Sequence, residues 1–413
     1  MGTFLPEPTT GARALWRLEQ VSLFGRAGMG LRWVLIRRVR KGVEMDMSRE
    51  PVEYLQSGEA WRDYCRGLEE AGQDIFRELA PDAPIDLAEG HRYLARMIRF
   101  GLEHIMEAGD PRLPVFFPSL CEVQKSGWDN PDNHHANAYI NGAYEYRIRG
   151  RRGECHYMSF AVYGGSLGRG GGRSTVAYKK IDELEVEPDG SFEIILSKRE
   201  HPGNWIPLSD DATTLMVREI FSRKLEQVRS VLHIECLSEE APPELAPAFV
   251  INAFRRSLRF MRGSAKVFFD TVDEWIPTPN VFNKGDAEKA EATLGIPDQF
   301  YRSGWWECAE DEALVIDVTP PNCRYWSIAL CDYWGGSFDY RYWPIHVNKE
   351  TACYRDDGSI RIVQSQRNPG LPRTNWLCNA GHDRGVWTLR WMEADGDPRP
   401  EVRLVPFADV ADV

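Results

Sequence analysis

Apolar residues fall at two different spacings along this chain, and the change between them marks its architecture. Trp61, Tyr64, Cys65, Leu68, Ile75, Phe76 and Leu79 recur every three or four positions, as on one side of a helix. A second helix is predicted from Asp86, with Glu89 three residues on as in a capping box. Its buried stripe is Leu87, His91, Leu94, Met97, Ile98, Leu102 and Ile105, so His91 and His104 read as packing residues. From Pro114 the pattern turns to short alternating runs. Asn141-Gly142 between 136–140 and 143–149 predicts a hairpin, and further strands follow near 155–163, 190–197, 213–221 and 230–237. A helical stretch at about 243–262 presents Phe249, Val250, Phe254, Leu258 and Met261 on one face. Residues 271–300 read as loop with a short helix near 287–294, and alternation resumes from about 305 to 406.

The two β-rich stretches are copies of each other. Cys155-His156-Tyr157-Met158-Ser159-Phe160 answers Cys323-Arg324-Tyr325-Trp326-Ser327-Ile328. Asp189-Gly190-Ser191 answers Asp357-Gly358-Ser359 at the same offset, and each copy carries Gly-Gly-Ser, at 164–166 and 335–337. Asn204-Trp205 matches Asn375-Trp376, and the strand residue Arg218 matches Arg390. The predicted fold is mainly β (α+β overall): tandem duplicated β-sandwich or jelly-roll-like domains with an N-terminal helical layer and a helical connector. The expected divisions are a basic amphipathic arm at 1–50, the helical layer at 51–110, a first β-copy at 111–240, a connector at 241–304 and a second copy at 305–413.

Charge refines this picture. A net charge of −12 argues against nucleic acid as a partner. The arm departs from that balance, since residues 11–41 mix Arg13, Arg17, Arg26, Arg32, Arg37, Arg38, Arg40 and Lys41 with Trp16, Phe24 and Trp33, against Glu19 alone. Such an arm suits either peripheral contact with an anionic membrane surface or packing on a partner subunit or on the protein's own acidic body. Its apolar runs are too short and too charged to span a bilayer, and no export signal follows the start. Nine cysteines with no C-x-x-C pair read as free thiols in a reducing cytoplasm.

Three motifs invite chemistry. Gly164-Gly165-Ser166-Leu167-Gly168 fits the nucleophile-elbow pattern, but more glycine follows where a helix is required. The loop from Gly168 to Ser174 lacks the lysine of a phosphate-binding loop, although its glycine amides with Arg169 and Arg173 could hold an anion. Asp129, Asp132, His134 and His135 offer metal-ligand types, yet adjacent histidines on a strand face opposite ways, so no metal is expected.

Asp129-Asn130-Pro131-Asp132-Asn133, Tyr146-Arg147-Ile148-Arg149-Gly150, Pro202-Gly203-Asn204-Trp205, Thr319-Pro320-Pro321 and Asn375-Trp376-Leu377 occur in order over roughly 86–406. In these the chain resembles the bacterial domain of unknown function 1214 family, which is often accompanied by the related 1254 domain. The resemblance implies β-sandwich domains and no established reaction.

Duplication supplies a filter. Features present twice (the Asn-Trp pair, the strand arginine, the Asp-Gly-Ser turn) are expected to maintain the fold, and features of one copy to carry function. The second copy then offers His382 or His346 as general base and Asp339 as orienting acid. Trp334, Tyr340, Trp343, Asn348, Asn375 and Trp376 would bind substrate. The expected function is a cytoplasmic small-molecule enzyme, a hydrolase or lyase, acting without a nucleotide cofactor on a ring-bearing, modestly apolar metabolite. The alternative is a non-catalytic binding module for a glycan, a hydrophobic metabolite or a protein partner. A homo-oligomer is compatible with either.

Overall fold

Three polar devices that bind side chain to backbone recur in both β-copies of this fold. A computed structural model describes residues 45–413 apart from 166–172, 239–242, 287–289, 291–294, 296 and 298. The basic arm at 11–41, Ser166 of the elbow-like motif and most of the short helix near 287–294 lie outside the described residues.

The helical layer comprises α1 (Pro51–Gln56), α2 (Glu59–Ala71) and α3 (Pro84–Phe100), the last continuing as a π-helical turn over Gly101–Glu107. Its inward face differs from the expected one. Leu87 is 43% exposed and His91 is exposed, while Asp86, Gly90, Tyr93, Arg96, Met97 and Phe100 are buried. The capping box is absent as well: Pro84 opens α3 at its first turn and Ala83 supplies no side-chain cap. Asp86 turns inward because it has a buried partner elsewhere, His382. His104 does pack in the interior, stacked on Phe117 at 4.4 Å, and burial lowers its pKa to about 4.

The first copy contains β1 (Phe117–Leu120), β2 (Asn133–Tyr139), β3 (Tyr146–Arg151), β4 (Tyr157–Gly165), β5 (Arg173–Lys180), β6 (Ser191–Ser197), β7 (Trp205–Pro207), β8 (Ala212–Ile220) and β9 (Val231–Cys236). The connector is α4 (Pro247–Trp275), longer than the sequence pattern suggests. The second copy contains β10 (Asn283–Lys284), β11 (Gln299–Glu307), β12 (Glu312–Val318), β13 (Tyr325–Cys331), β14 (His346–Asn348), β15 (Ile360–Ser365), β16 (Asn375–Cys378), β17 (Arg384–Met392) and β18 (Glu401–Pro406). Each copy is a five-stranded sheet backed by a four-stranded one. The orders β1-β2-β8-β4-β5 and β7-β6-β3-β9 become β10-β11-β17-β13-β14 and β16-β15-β12-β18, strand for strand. Parallel pairing is confined to β6 with β7 and β15 with β16, again equivalent.

Between the sheets of the first copy lie Ile148, Phe160, Ile194 and Val217; between those of the second lie Trp306, Trp326, Trp387 and Trp391. Many of the tryptophans are therefore sandwich core. The Asn141-Gly142 turn does not close a hairpin. Its flanking strands enter different sheets, β2 beside β8 and β3 beside β6. Neither residue takes the positive φ of a tight hairpin turn, and Asn141 Oδ1 accepts from the Ala143 N–H instead.

The repeated polar residues clip backbone to backbone. Asn204 accepts from the Glu185 N–H and donates to the Glu185 and Glu193 carbonyls. Asn375 does the same with Cys353 and Arg361. The Trp205 indole donates to the Ser197 carbonyl and that of Trp376 to the Ser365 carbonyl. Asp189 and Asp357 each accept from the N–H and hydroxyl of the serine two residues on. Among the described residues no helix is long and apolar enough to cross a membrane. Asn375→Ala, which removes three hydrogen bonds at a buried site, is expected to destabilise the protein by about 2–3 kcal/mol in urea denaturation; a loss under about 0.5 kcal/mol would refute the clip as a stabilising device.

Candidate functional site

Alternation along the strands decides what the two copies show each other. Met158, Phe160 and Val162 point into the first sandwich, so Tyr157, Ser159 and Ala161 must point out of it. The same holds for Tyr325 against Trp326 in the second copy. The outward faces meet: Tyr157, Ile220, Tyr325 and Met392 form one apolar cluster. Equivalent residues also exchange reciprocal contacts, since the His156 ring lies 3.1 Å from the Arg324 carbonyl and the Arg324 guanidinium donates to the His156 carbonyl at 3.3 Å. That is the signature of a two-fold interface, here between halves of one chain.

Away from this contact the faces part and enclose a pocket of about 590 Å³. β2 and β8 supply Asn133, His135, Asn137, Tyr139, Thr214, Met216 and Arg218. β11 and β17 supply Tyr301, Ser303, Thr388 and Arg390. One side of α4 covers them with Phe260, Ser264, Phe268 and Trp275, and Phe100, Phe117 and Trp128 complete an aromatic lining.

The repeated arginines, expected to serve the fold alone, both line this pocket. Arg218 is 3% exposed and its Nε donates to His135 Nε2 at 3.1 Å. Arg390 is 7% exposed and donates to Thr388 Oγ1 and the Trp128 carbonyl. Burial first, then the Arg218 charge, holds the His135 pKa well below its ordinary value, so the ring is neutral. A charged residue at the centre of an otherwise buried strand, Val217-Arg218-Glu219-Ile220, was the signal in the sequence that pointed here.

A loop at 125–132 walls one side. Lys125 donates to the Ser337 and Phe338 carbonyls, the Trp128 N–H to the Gly335 carbonyl, and Ser337 to Asp129 through both its N–H and its hydroxyl. Gly127 and Trp128 have φ of 64° and 56°, and a Cβ on Gly127 would sit 2.9 Å from the Phe268 ring, so glycine is required there. Gly335-Gly336-Ser337 is thus a docking turn for the first copy.

Of the nine residues proposed from the sequence, none lines the junction pocket. His382, 3% exposed, stacks on Phe338 at 4.2 Å and meets Asp86 at 3.2 Å. Asp339 is paired with Arg341, which lowers its pKa to about 2. Asn375 and Trp376 are the backbone clips described above. Trp334 is buried in the cluster under α3 and α4, and Trp343 is half exposed. The structure does bring together His346, Asn348 and Tyr340. His346 Nε2 lies 3.3 Å from Asp132, whose other oxygen accepts from Tyr325 at 2.6 Å and Asn348 at 2.8 Å. The Tyr340 ring is 6.2 Å from that of His346, its hydroxyl meets Lys224, and the Lys125 ammonium sits 4.3 Å above it. Asp129, Asp132, His134 and His135 separate to four different surroundings: Ser337, His346, the Lys224–Arg229 side and Arg218. Among the described residues no group of three or more histidine, cysteine or acidic side chains is placed to hold a metal.

Behind His382 lies a buried acid, Asp332. Burial, then the nearby Glu89 carboxylate, raises its pKa from 3.8 to about 7. A raised carboxyl favours the folded state while protonated, so its contribution is full below pH 3.8 and is lost as pH rises through about 7. Asp332→Asn keeps an acceptor for the Gly336 N–H and removes the titration. The stability of this variant relative to the parent, followed in urea, is expected to rise between about pH 4 and pH 7; a difference flat with pH would show Asp332 ionised throughout.

The fold and the junction define a class first, a duplicated β-sandwich protein whose halves enclose a pocket. The family profile described as protein of unknown function (DUF1214) matches residues 131–221 and 311–395, one match in each copy. An uncharacterised protein from Burkholderia cenocepacia, known from a crystal structure, is 36% identical over 87% of this chain and 99% of its own, with a TM-score of 0.83. The chain belongs to the DUF1214 family. The VPA0106 protein from Vibrio parahaemolyticus is 12% identical, with 82% of this chain and 100% of that one covered at a TM-score of 0.44. Among curated proteins none matches the chain.

Proposed function

We propose that the protein binds a small, largely apolar, ring-bearing metabolite in the pocket between its two β-copies. One observation carries this reading: a pocket of about 590 Å³, walled by aromatic side chains from both copies and α4, with polar side chains such as His135, Asn137, Arg218 and Arg390 set among them. Its size and lining are those of ordinary small-molecule sites. The imidazole and the carboxylate of its buried wall are engaged, His135 Nε2 accepting from Arg218 and Asp129 accepting from Ser337. Binding therefore suits it better than catalysis. Residence in the cytoplasm belongs to the same proposal and draws on nine cysteines that all carry free thiols.

The test uses 2-naphthol, an uncharged two-ring probe, followed by tryptophan fluorescence. Saturable quenching is expected, and Ser264→Phe, which adds a ring to the pocket wall, is expected to weaken it at least tenfold, roughly 1.4 kcal/mol, with the fold intact by circular dichroism. Quenching undiminished in Ser264→Phe would place the probe elsewhere and end this reading.

The Asp132–His346 pair favours a second reading, hydrolysis with His346 as base and Asp132 fixing its ring, since His346 is partly exposed and Asp132 is anchored on Tyr325 and Asn348. Release of 4-nitrophenol from 4-nitrophenyl acetate, abolished by His346→Gln, would carry it. Release unchanged in the variant would remove it.

A further inference from the structure

The junction pocket carries an imbalance of charge that its apolar walls do not explain. Arg173 opens β5 and lines the pocket together with Tyr139 of β2, and Tyr163 of β4 is a close electrostatic neighbour. An arginine has five N–H donors and remains charged in a protein. This one makes no hydrogen bond or ion pair with any described residue, and its Nε is sealed from solvent. Burial lowers its pKa, and the charges that bear on it are those of Tyr139 and Tyr163, not of any carboxylate. A second cation stands close by, for the Arg256 guanidinium lies 4.9 Å from the Tyr139 ring centroid.

The rest of the wall continues in the same sense. Arg218 is opposite Ser159 of β4 and Arg173 is opposite Gly165, six residues further along that strand, so about 20 Å of strand separates the two arginine positions. The hydrogen bonds of Arg390 run to a hydroxyl and a carbonyl, both neutral. Four acids line the pocket, and none is buried without a partner. Asp129 is bonded to Ser337, Asp270 pairs with Lys266 and Arg77, and Glu274, near the end of α4, and Asp286 are both exposed. A guanidinium removed from water without an anion is costly, and an anionic ligand would offset that cost.

We infer that the ligand of this pocket is an organic carboxylate, with its apolar body among Phe100, Phe117, Phe260 and Phe268 and its carboxylate paired with the guanidinium of Arg173. The inference rests on the pocket being a binding site, as proposed above. Planar carboxylate and planar guanidinium match in a two-point hydrogen bond, which a neutral amide of the same shape cannot reproduce. The cationic wall between the two copies draws the same charge inward.

Three probes of one shape separate the possibilities: 2-naphthoate, 2-naphthamide and 2-naphthol, titrated into the full-length protein. The carboxylate is expected to bind at least about tenfold more tightly than the amide, with that preference lost in Arg173→Gln and largely kept in Arg173→Lys. The amide should bind the parent and Arg173→Gln alike, which also shows that the variant is folded. Equal affinity for carboxylate and amide in the parent would overturn the inference and leave the pocket reading standing. A preference that survives Arg173→Gln would overturn the assignment to Arg173. Absence of binding by all three probes would overturn both the inference and the pocket reading.

Discussion

Two β-sandwiches with nearly the same sequence pattern must bury the same outward face, and packing each against the other is the symmetric solution. The contact of Tyr157 and Ile220 with Tyr325 and Met392 is where this happens, and the exchanged bonds of His156 and Arg324 fix its orientation. Further ion pairs, Arg324 with Asp182 and Lys180 with Glu393, cross the same junction. Everything else in the interior follows from the faces being closed at one place and parted at another. Twisted sheets cannot touch along their whole area, so the space beyond the contact needs other filling.

That filling is helical and polar at once. α4 lays an apolar face over the gap, with Met261, Ala265 and Phe269 reaching the second copy and Phe260, Ser264 and Phe268 facing the pocket. The loop at 125–132 plugs the side, trading backbone bonds with Gly335 and Ser337 and giving Arg390 its carbonyl. The symmetry itself places one arginine from each copy on the pocket wall. A residue that maintains a fold in a single domain acquires a different setting when two domains share it, and Arg218 and Arg390 illustrate the change.

The fold was far more legible than the site. Helical and alternating periods, and the offset between the copies, are local properties of the chain, and they lead to the helical layer, the strands and the duplication. Two local signals misled. Asn141-Gly142 promises a hairpin, but the flanking strands find better partners in separate sheets. Asp86 and Glu89 look like a capping box, but Asp86 is drawn inward by His382, 296 residues away. The candidate residues of the second copy were chosen for their chemistry, and the structure distributes them: His346 and Asn348 meet at Asp132, Asn375 and Trp376 hold backbone, and Asp339 pairs with its neighbour Arg341.

The sequence by itself determined that this is a tandem β-protein of the DUF1214 family, with a helical layer and a helical connector. The architecture needs periodicity and repetition alone, and the family follows from the resemblance of motifs that occur in order; all of these are written in the order of the residues. The pocket was decided by tertiary structure. It exists because outward faces of two copies, a connector helix and an inserted loop converge from four stretches of chain. Which strand face is outward can be read from alternation, but what it faces depends on how the copies pack. The same holds for Arg173. In the sequence it is one basic residue in a glycine-rich loop; in the fold it is a guanidinium beside tyrosines, its Nε sealed from solvent, with no carboxylate partner among the described residues. Only three-dimensional surroundings, by removing water and withholding a partner, make a charge of that kind a binding determinant.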